Sequence, residues 1–160
     1  MRRLLRRRGR AAAIGVAFSI GCFSIGGLPI PVAAGPPANC TFTTAAVLFG
    51  SYDVLATSPL YGTGSISGHC NRNDPVTIAL SGGDSGTTSQ RYMKSASSDT
   101  LNYNLYQTSA YALIWGTGAS ALTATFGMTQ TTLTIYGMIP AQQDVSAGSY
   151  SDSIVATISY

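Results

Sequence analysis

The chain has 160 residues, nine lysines and arginines against six aspartates, one histidine and no glutamate. Six of the basic residues (Arg2, Arg3, Arg6, Arg7, Arg8, Arg10) crowd the first ten positions, so the rest carries Arg72, Arg91 and Lys94 against all six aspartates, a formal charge of −3. No basic patch remains to track phosphates, which excludes nucleic acid as a partner, and the length fits one domain.

The chain begins with an arginine-rich stretch, continues with an apolar run over 11–28, and reaches small residues at Val32, Ala33 and Ala34. That order is a secretory signal peptide, expected over 1–34. The alternative is a membrane-spanning helix, against which stand Gly15, Gly21, Gly26 and Gly27 and the exit at Pro29 and Pro31. The paired arginines lack the continuation of a twin-arginine export signal. Ser19-Ile20-Gly21-Cys22 has the outline of a lipoprotein cleavage box, with serine where leucine is usual. Residues 35–39 read as a short stiff leader, and 40–160 as the exported domain.

Two cysteines, Cys40 and Cys70, remain after export. An even pair in an oxidising compartment reads as a disulfide; two free buried thiols are the alternative. Beyond Cys40 no segment sustains a helical apolar period. Strands are expected over 41–49, 64–70, 76–80, 90–94, 101–106, 112–115, 121–126, 131–138 and 153–160, separated by turn residues such as Asn73-Asp74-Pro75 and Ser81-Gly82-Gly83-Asp84. Eight or nine short strands predict an all-β chain built as an antiparallel β-sandwich or barrel. In the last strand Ile154, Ala156, Ile158 and Tyr160 share one face, and Val155, Thr157 and Ser159 the other. That strand is expected either to close an ordinary sandwich or to offer an edge for pairing with a partner.

Residues that carry chemistry are few. His69, beside Cys70 in an expected strand, is a strand-surface histidine in preference to a catalytic base. The aspartates stand singly among turn residues, where Asp caps turns, and not in the converging sets that a carboxylate hydrolase or a calcium cage needs. No catalytic residue, metal ligand, cofactor or small-molecule substrate is therefore expected. Tyr103, Tyr106, Tyr111, Trp115 and Tyr136 are read as rings filling the core or packing across strands, with a carbohydrate-binding surface as the alternative and Trp115 as its candidate.

Several separated motifs carry a resemblance. Cys40 opens the domain, followed by Val47-Leu48-Phe49-Gly50-Ser51-Tyr52-Asp53 and Cys70. Leu101-Asn102-Tyr103-Asn104-Leu105-Tyr106, Ile114-Trp115-Gly116-Thr117-Gly118, Thr132-Leu133-Thr134-Ile135-Tyr136-Gly137-Met138-Ile139-Pro140 and Ala147-Gly148-Ser149-Tyr150-Ser151-Asp152 follow in order. Over 40–160 the chain resembles the spore coat protein U domain family, secreted subunits of archaic chaperone–usher pili of Gram-negative bacteria. The resemblance implies an immunoglobulin-like sandwich lacking one strand, which a periplasmic chaperone and then a neighbouring subunit would supply. It implies export to the periplasm, transfer through an outer-membrane usher, and a place among other pilus subunits on the cell surface, in adhesion or biofilm formation. The C-terminal strand with Ile154, Ala156, Ile158 and Tyr160 would pair with the incoming strand. One departure concerns strand donation. A cut after Ala34 leaves too few residues before Cys40 to fill a neighbour. An earlier cut leaves Leu28, Ile30, Val32 and Ala34 in alternation, interrupted by Pro29 and Pro31, which lack a backbone donor. A subunit that only accepts a strand would sit at a fibre end; a carbohydrate-binding tip adhesin and a secreted coat or matrix protein are the other readings.

Overall fold

The computed structural model describes residues 38–160. The expected signal peptide, the lipoprotein-like box at Cys22, most of the expected leader and the 28–34 alternation lie outside the described residues. Eight strands run in chain order: β1 Cys40–Leu48, β2 Leu60–Cys70, β3 Asp74–Leu80, β4 Arg91–Lys94, β5 Thr100–Tyr106, β6 Leu122–Phe126, β7 Thr131–Ile139 and β8 Ala156–Ser159. All pairings are antiparallel. A five-stranded sheet has the order β1-β2-β7-β5-β4, and a three-stranded sheet the order β6-β3-β8. The protein is an all-β antiparallel sandwich, as the strand pattern predicts, and among the described residues only two short 3-10 turns, Gly83–Ser85 and Gly118–Ser120, accompany the strands.

The two-residue period decides what is inside. β3 alternates buried and accessible residues, sending Val76, Ile78 and Leu80 inward. They meet Ile66 of β2, Leu101, Tyr103 and Leu105 of β5, and Ile135 and Ile139 of β7, with Trp115 and Phe126 completing the centre. Burial of each large apolar side chain contributes about 1.5–3 kcal/mol.

Three strand expectations change. β2 starts at Leu60 and not at residue 64, because residues 60–63, Gly62 included, continue the strand. The apolar residues that follow the bulge in β1 fold across Gly62 and Gly64: a Cβ at Gly64 would lie 2.8 Å from Val47 Cγ2, and one at Gly137, opposite Gly62, 2.6 Å from the Phe49 ring. Glycine is required there for lack of room. Residues 112–115 form no strand. Tyr111 takes φ +53° and donates its N–H to Thr108 O at 3.1 Å, turning the chain away, and only the Tyr106–Ile114 bridge remains. β8 is shorter than 153–160, because residues 151–155 cross between the sheets. Ser151 bridges to Lys94 of β4, and Val155 exchanges hydrogen bonds with Ser81 at the end of β3.

Candidate functional site

β8 is bonded to β3 on one side and stands at the end of its sheet, and β1 stands at the end of the other. Among the described residues neither strand has a partner beyond it. Ala156 lies opposite Leu80 and Ile158 opposite Ile78, so cross-strand register turns both toward the interior. Leu80 and Ile78 are fully buried, whereas Ile154, Ala156 and Ile158 are half-covered. β1 faces the same interior with Phe42, opposite Gly68, and with Val47 and Phe49, all also half-covered. The two edges approach at one end, where the Phe42 ring is 6.2 Å from Tyr160 and 5.1 Å from Phe126. Apolar side chains and unpaired backbone thus occupy both rims, the combination that complete sandwiches avoid at their edges. The pairing expectation for Ile154, Ala156, Ile158 and Tyr160 falls on this edge. Ala156 and Ile158 belong to β8, Ile154 precedes it, and Tyr160 follows it at 48% exposure.

Both strands are fixed at one point. The Cys40–Cys70 disulfide ties the first residue of β1 to the last of β2, directly opposite in register. The pair is bonded, as the export argument expects. The crossing segment before β8 is held by Asp152, whose carboxylate accepts from the Tyr103 hydroxyl at 2.7 Å, from the backbone of Asp84 at 2.9 Å and from its neighbour Ser153 at 2.7 Å. Beside it lies Arg91, fully buried. Its Nε donates to Ser81 O at 2.9 Å, Nη1 to Asn104 Oδ1 at 2.6 Å, and Nη2 to Leu80 O at 3.2 Å and Trp115 O at 2.9 Å. A buried cation without such acceptors would cost several kcal/mol. Burial lowers the Arg91 guanidinium from its ordinary value, opposed by Tyr103 and Asp152. Burial, then the hydrogen bond to Asp152 and its negative charge, push the Tyr103 phenol far above the usual range.

Trp115 bears out the core-filling reading and overturns its alternative, a surface-binding aromatic. It is 0% exposed and donates Nε1–H to Ile78 O at 2.9 Å, so it is a core residue and offers no binding surface. Tyr103 is likewise interior, its ring 5.8 Å from Phe49. Tyr106, Tyr111 and Tyr136 instead gather with Tyr61 on the outer face of the five-stranded sheet, Tyr111 lying 4.6 Å from Tyr61, 5.5 Å from Tyr106 and 6.2 Å from Tyr136. Burial and the neighbouring phenols Tyr61 and Tyr136 raise the Tyr111 phenol, and burial alone raises Tyr106. His69 is exposed on the outer face of β2, opposite Thr41. Asp74 pairs with Arg72 at 2.9 Å, and Asp53 caps a turn by accepting the Leu55 N–H. Among the described residues one group of three side chains has the spacing of metal ligands, Cys40, Cys70 and Asp74, but its two sulfurs are bonded to each other. The Arg91 and Asp152 network escaped the sequence reading. Its one signal is a lone arginine at a position that alternation places inside.

The Spore Coat Protein U domain matches over residues 29–157. The chain is 31% identical to Protein U of Myxococcus xanthus, aligning with 70% of each chain. Among solved structures it superposes, with a TM-score of 0.57 at 22% identity, on a chain in the CsuC–CsuE chaperone–tip adhesion subunit pre-assembly complex from the archaic chaperone–usher Csu pili of Acinetobacter baumannii. That match covers 78% of this chain and 40% of the length of the solved one. On the family match and on the Protein U identity, the chain belongs to the Spore Coat Protein U domain family.

Proposed function

We propose that this protein is an exported, non-enzymatic subunit of a chaperone–usher surface pilus, in which a strand from a partner completes the sandwich between β1 and β8. One observation carries the proposal: two unpartnered strand edges flank a row of half-covered apolar side chains, Phe42, Val47, Ile154, Ala156 and Ile158, in an otherwise packed domain. A strand laid there would pair backbone on both sides and place alternate side chains against that row, the β-augmentation mode. Family membership and a fold shared with a chain of a chaperone–subunit complex support it. The partners are a periplasmic chaperone, which covers the edge first, an outer-membrane usher, and other subunits. Residues 1–34 act as the signal, 35–39 as the leader and 40–160 as the assembling domain, which reaches the cell surface and serves adhesion or biofilm formation. A non-polymerising coat protein is the second reading, favoured by the identity with Protein U.

The test is to shear surface material from the cells and resolve it on a denaturing gel with and without boiling, probing for this protein. A ladder that collapses on boiling to one band of mature size is expected of a strand-exchanged polymer. A single monomer band in both lanes overturns the pilus assignment in favour of the coat reading.

A further inference from the structure

Eight of the nine tyrosines divide into two groups, and the ninth, Tyr160, lies against the Phe42 ring. Tyr52, Tyr92, Tyr103 and Tyr150 each donate the hydroxyl proton to a protein acceptor: Pro140 O, Asp84 O, Asp152 Oδ2 and Ser146 O. Tyr61, Tyr106, Tyr111 and Tyr136 make no hydroxyl bond to the described protein and instead meet one another on the outer sheet face. Tyr111 is the hub. It comes from the loop 107–113, closed by the Gln107 N–H to Leu113 O bond at 2.9 Å, and its φ of +53° is one that a bulky residue seldom adopts.

Within the cluster one pair differs. Tyr111 meets Tyr106 and Tyr136 edge-on, at 78° and 84°. It meets Tyr61 at 37°, with 4.6 Å between ring centroids, the shortest separation in the cluster. Tyr61 is 50% exposed, so an oxidant reaches it from solvent. Neither phenolic hydrogen is engaged by the protein.

We propose that Tyr61 and Tyr111 are a site of oxidative cross-linking, forming an intrachain dityrosine when the protein meets hydrogen peroxide and a haem peroxidase. Each phenol loses its hydroxyl hydrogen as a proton and an electron. The two electrons and two protons reduce one peroxide to two waters. The two phenoxyl radicals join through a carbon–carbon bond between their ortho positions, and the ring hydrogens at those carbons move to the oxygens to restore both aromatic rings. The chain loses two hydrogen atoms in all. Contact in the folded state makes coupling within one chain effectively unimolecular, so at low protein concentration it outruns coupling between chains. The bond would fasten the loop to β2. The proposal rests on the phenols alone and is independent of whether the chain polymerises.

The test treats the purified protein, at low micromolar concentration, with horseradish peroxidase and limiting peroxide. A monomer lighter by two hydrogens, dityrosine fluorescence, and a tryptic peptide ending at Arg72 joined to one beginning at Ser95 are expected. The product should vanish in Tyr61→Phe and in Tyr111→Phe, which keep the rings and hence the packing, and persist in Tyr92→Phe, Tyr150→Phe and Tyr136→Phe. Unchanged mass, products joined only between chains, or full intrachain yield from folded Tyr111→Phe would overturn the assignment.

Discussion

The two ends of the sandwich solve the same problem in opposite ways. Around β4 and the start of the crossing segment, polar groups are buried and fully paired: Arg91 reaches three carbonyls and Asn104, and Asp152 gathers the Tyr103 hydroxyl and two backbone donors. Along β1 and β8, by contrast, the side chains are apolar and half-covered, and the backbone has no strand beyond it. The contrast separates the part of the domain that is self-sufficient from the edge that the proposed partner strand would complete. A rigid polar clamp delivers β8 to its place, and the strand it delivers is left with an open side.

Breaking the clamp should have the largest effect. Arg91→Ala removes four hydrogen bonds and leaves Leu80 O, Ser81 O and Trp115 O facing a cavity, so a loss of about 3–5 kcal/mol is expected in denaturant unfolding. A loss near zero would mean that the guanidinium is not the organiser. Cys40→Ser comes next. Freeing a loop of 30 residues costs about 3–4 kcal/mol in the chain-entropy account, seen as a lower thermal midpoint and lower exported yield. An unchanged midpoint would contradict the anchoring of β1.

Tyr103→Phe sharpens the same comparison. Removing one donor from Asp152 should cost about 1–3 kcal/mol. The wild-type phenol binds its proton more tightly folded than unfolded, so its contribution is complete below the unfolded phenol value of about 10 and is lost as pH rises above it. Tyr106 and Tyr111 shift in the same direction. Stability should therefore fall on titration above pH ~10, less steeply in Tyr103→Phe; equal slopes would remove Tyr103 from the account. Ile158→Asp should do least to the isolated domain, about 1 kcal/mol, since the residue is only partly buried on an edge strand. Yet it puts a charge on the row that the proposed partner strand would cover, and co-purification with the proposed chaperone should be lost.

The same division runs through what the sequence made legible. Alternation reveals β3, β5 and β7 because one face of each is buried and the other is not. It also brings Ile154, Ala156 and Ile158 to one face. It misplaces the start of β2, which runs on through Gly62 to Leu60, and only the folded structure shows that Val47 and Phe49 need the space that Gly62 and Gly64 leave. Trp115 gives no local sign of direction, since the loop before it turns on the unusual backbone of Tyr111. The clamp was illegible because most of its partners are backbone groups, which every residue carries: three carbonyls for Arg91 and two N–H donors for Asp152.

The most direct test of the open edge is amide hydrogen exchange across β1 and β8, in the isolated protein and in the proposed complex with a periplasmic chaperone. The account predicts that both strands exchange faster than β3 and β7 in the isolated protein and become strongly protected in the complex, while β4 and β5 hardly change. Slow exchange of β8 in the isolated protein, with no gain on complex formation, would contradict it.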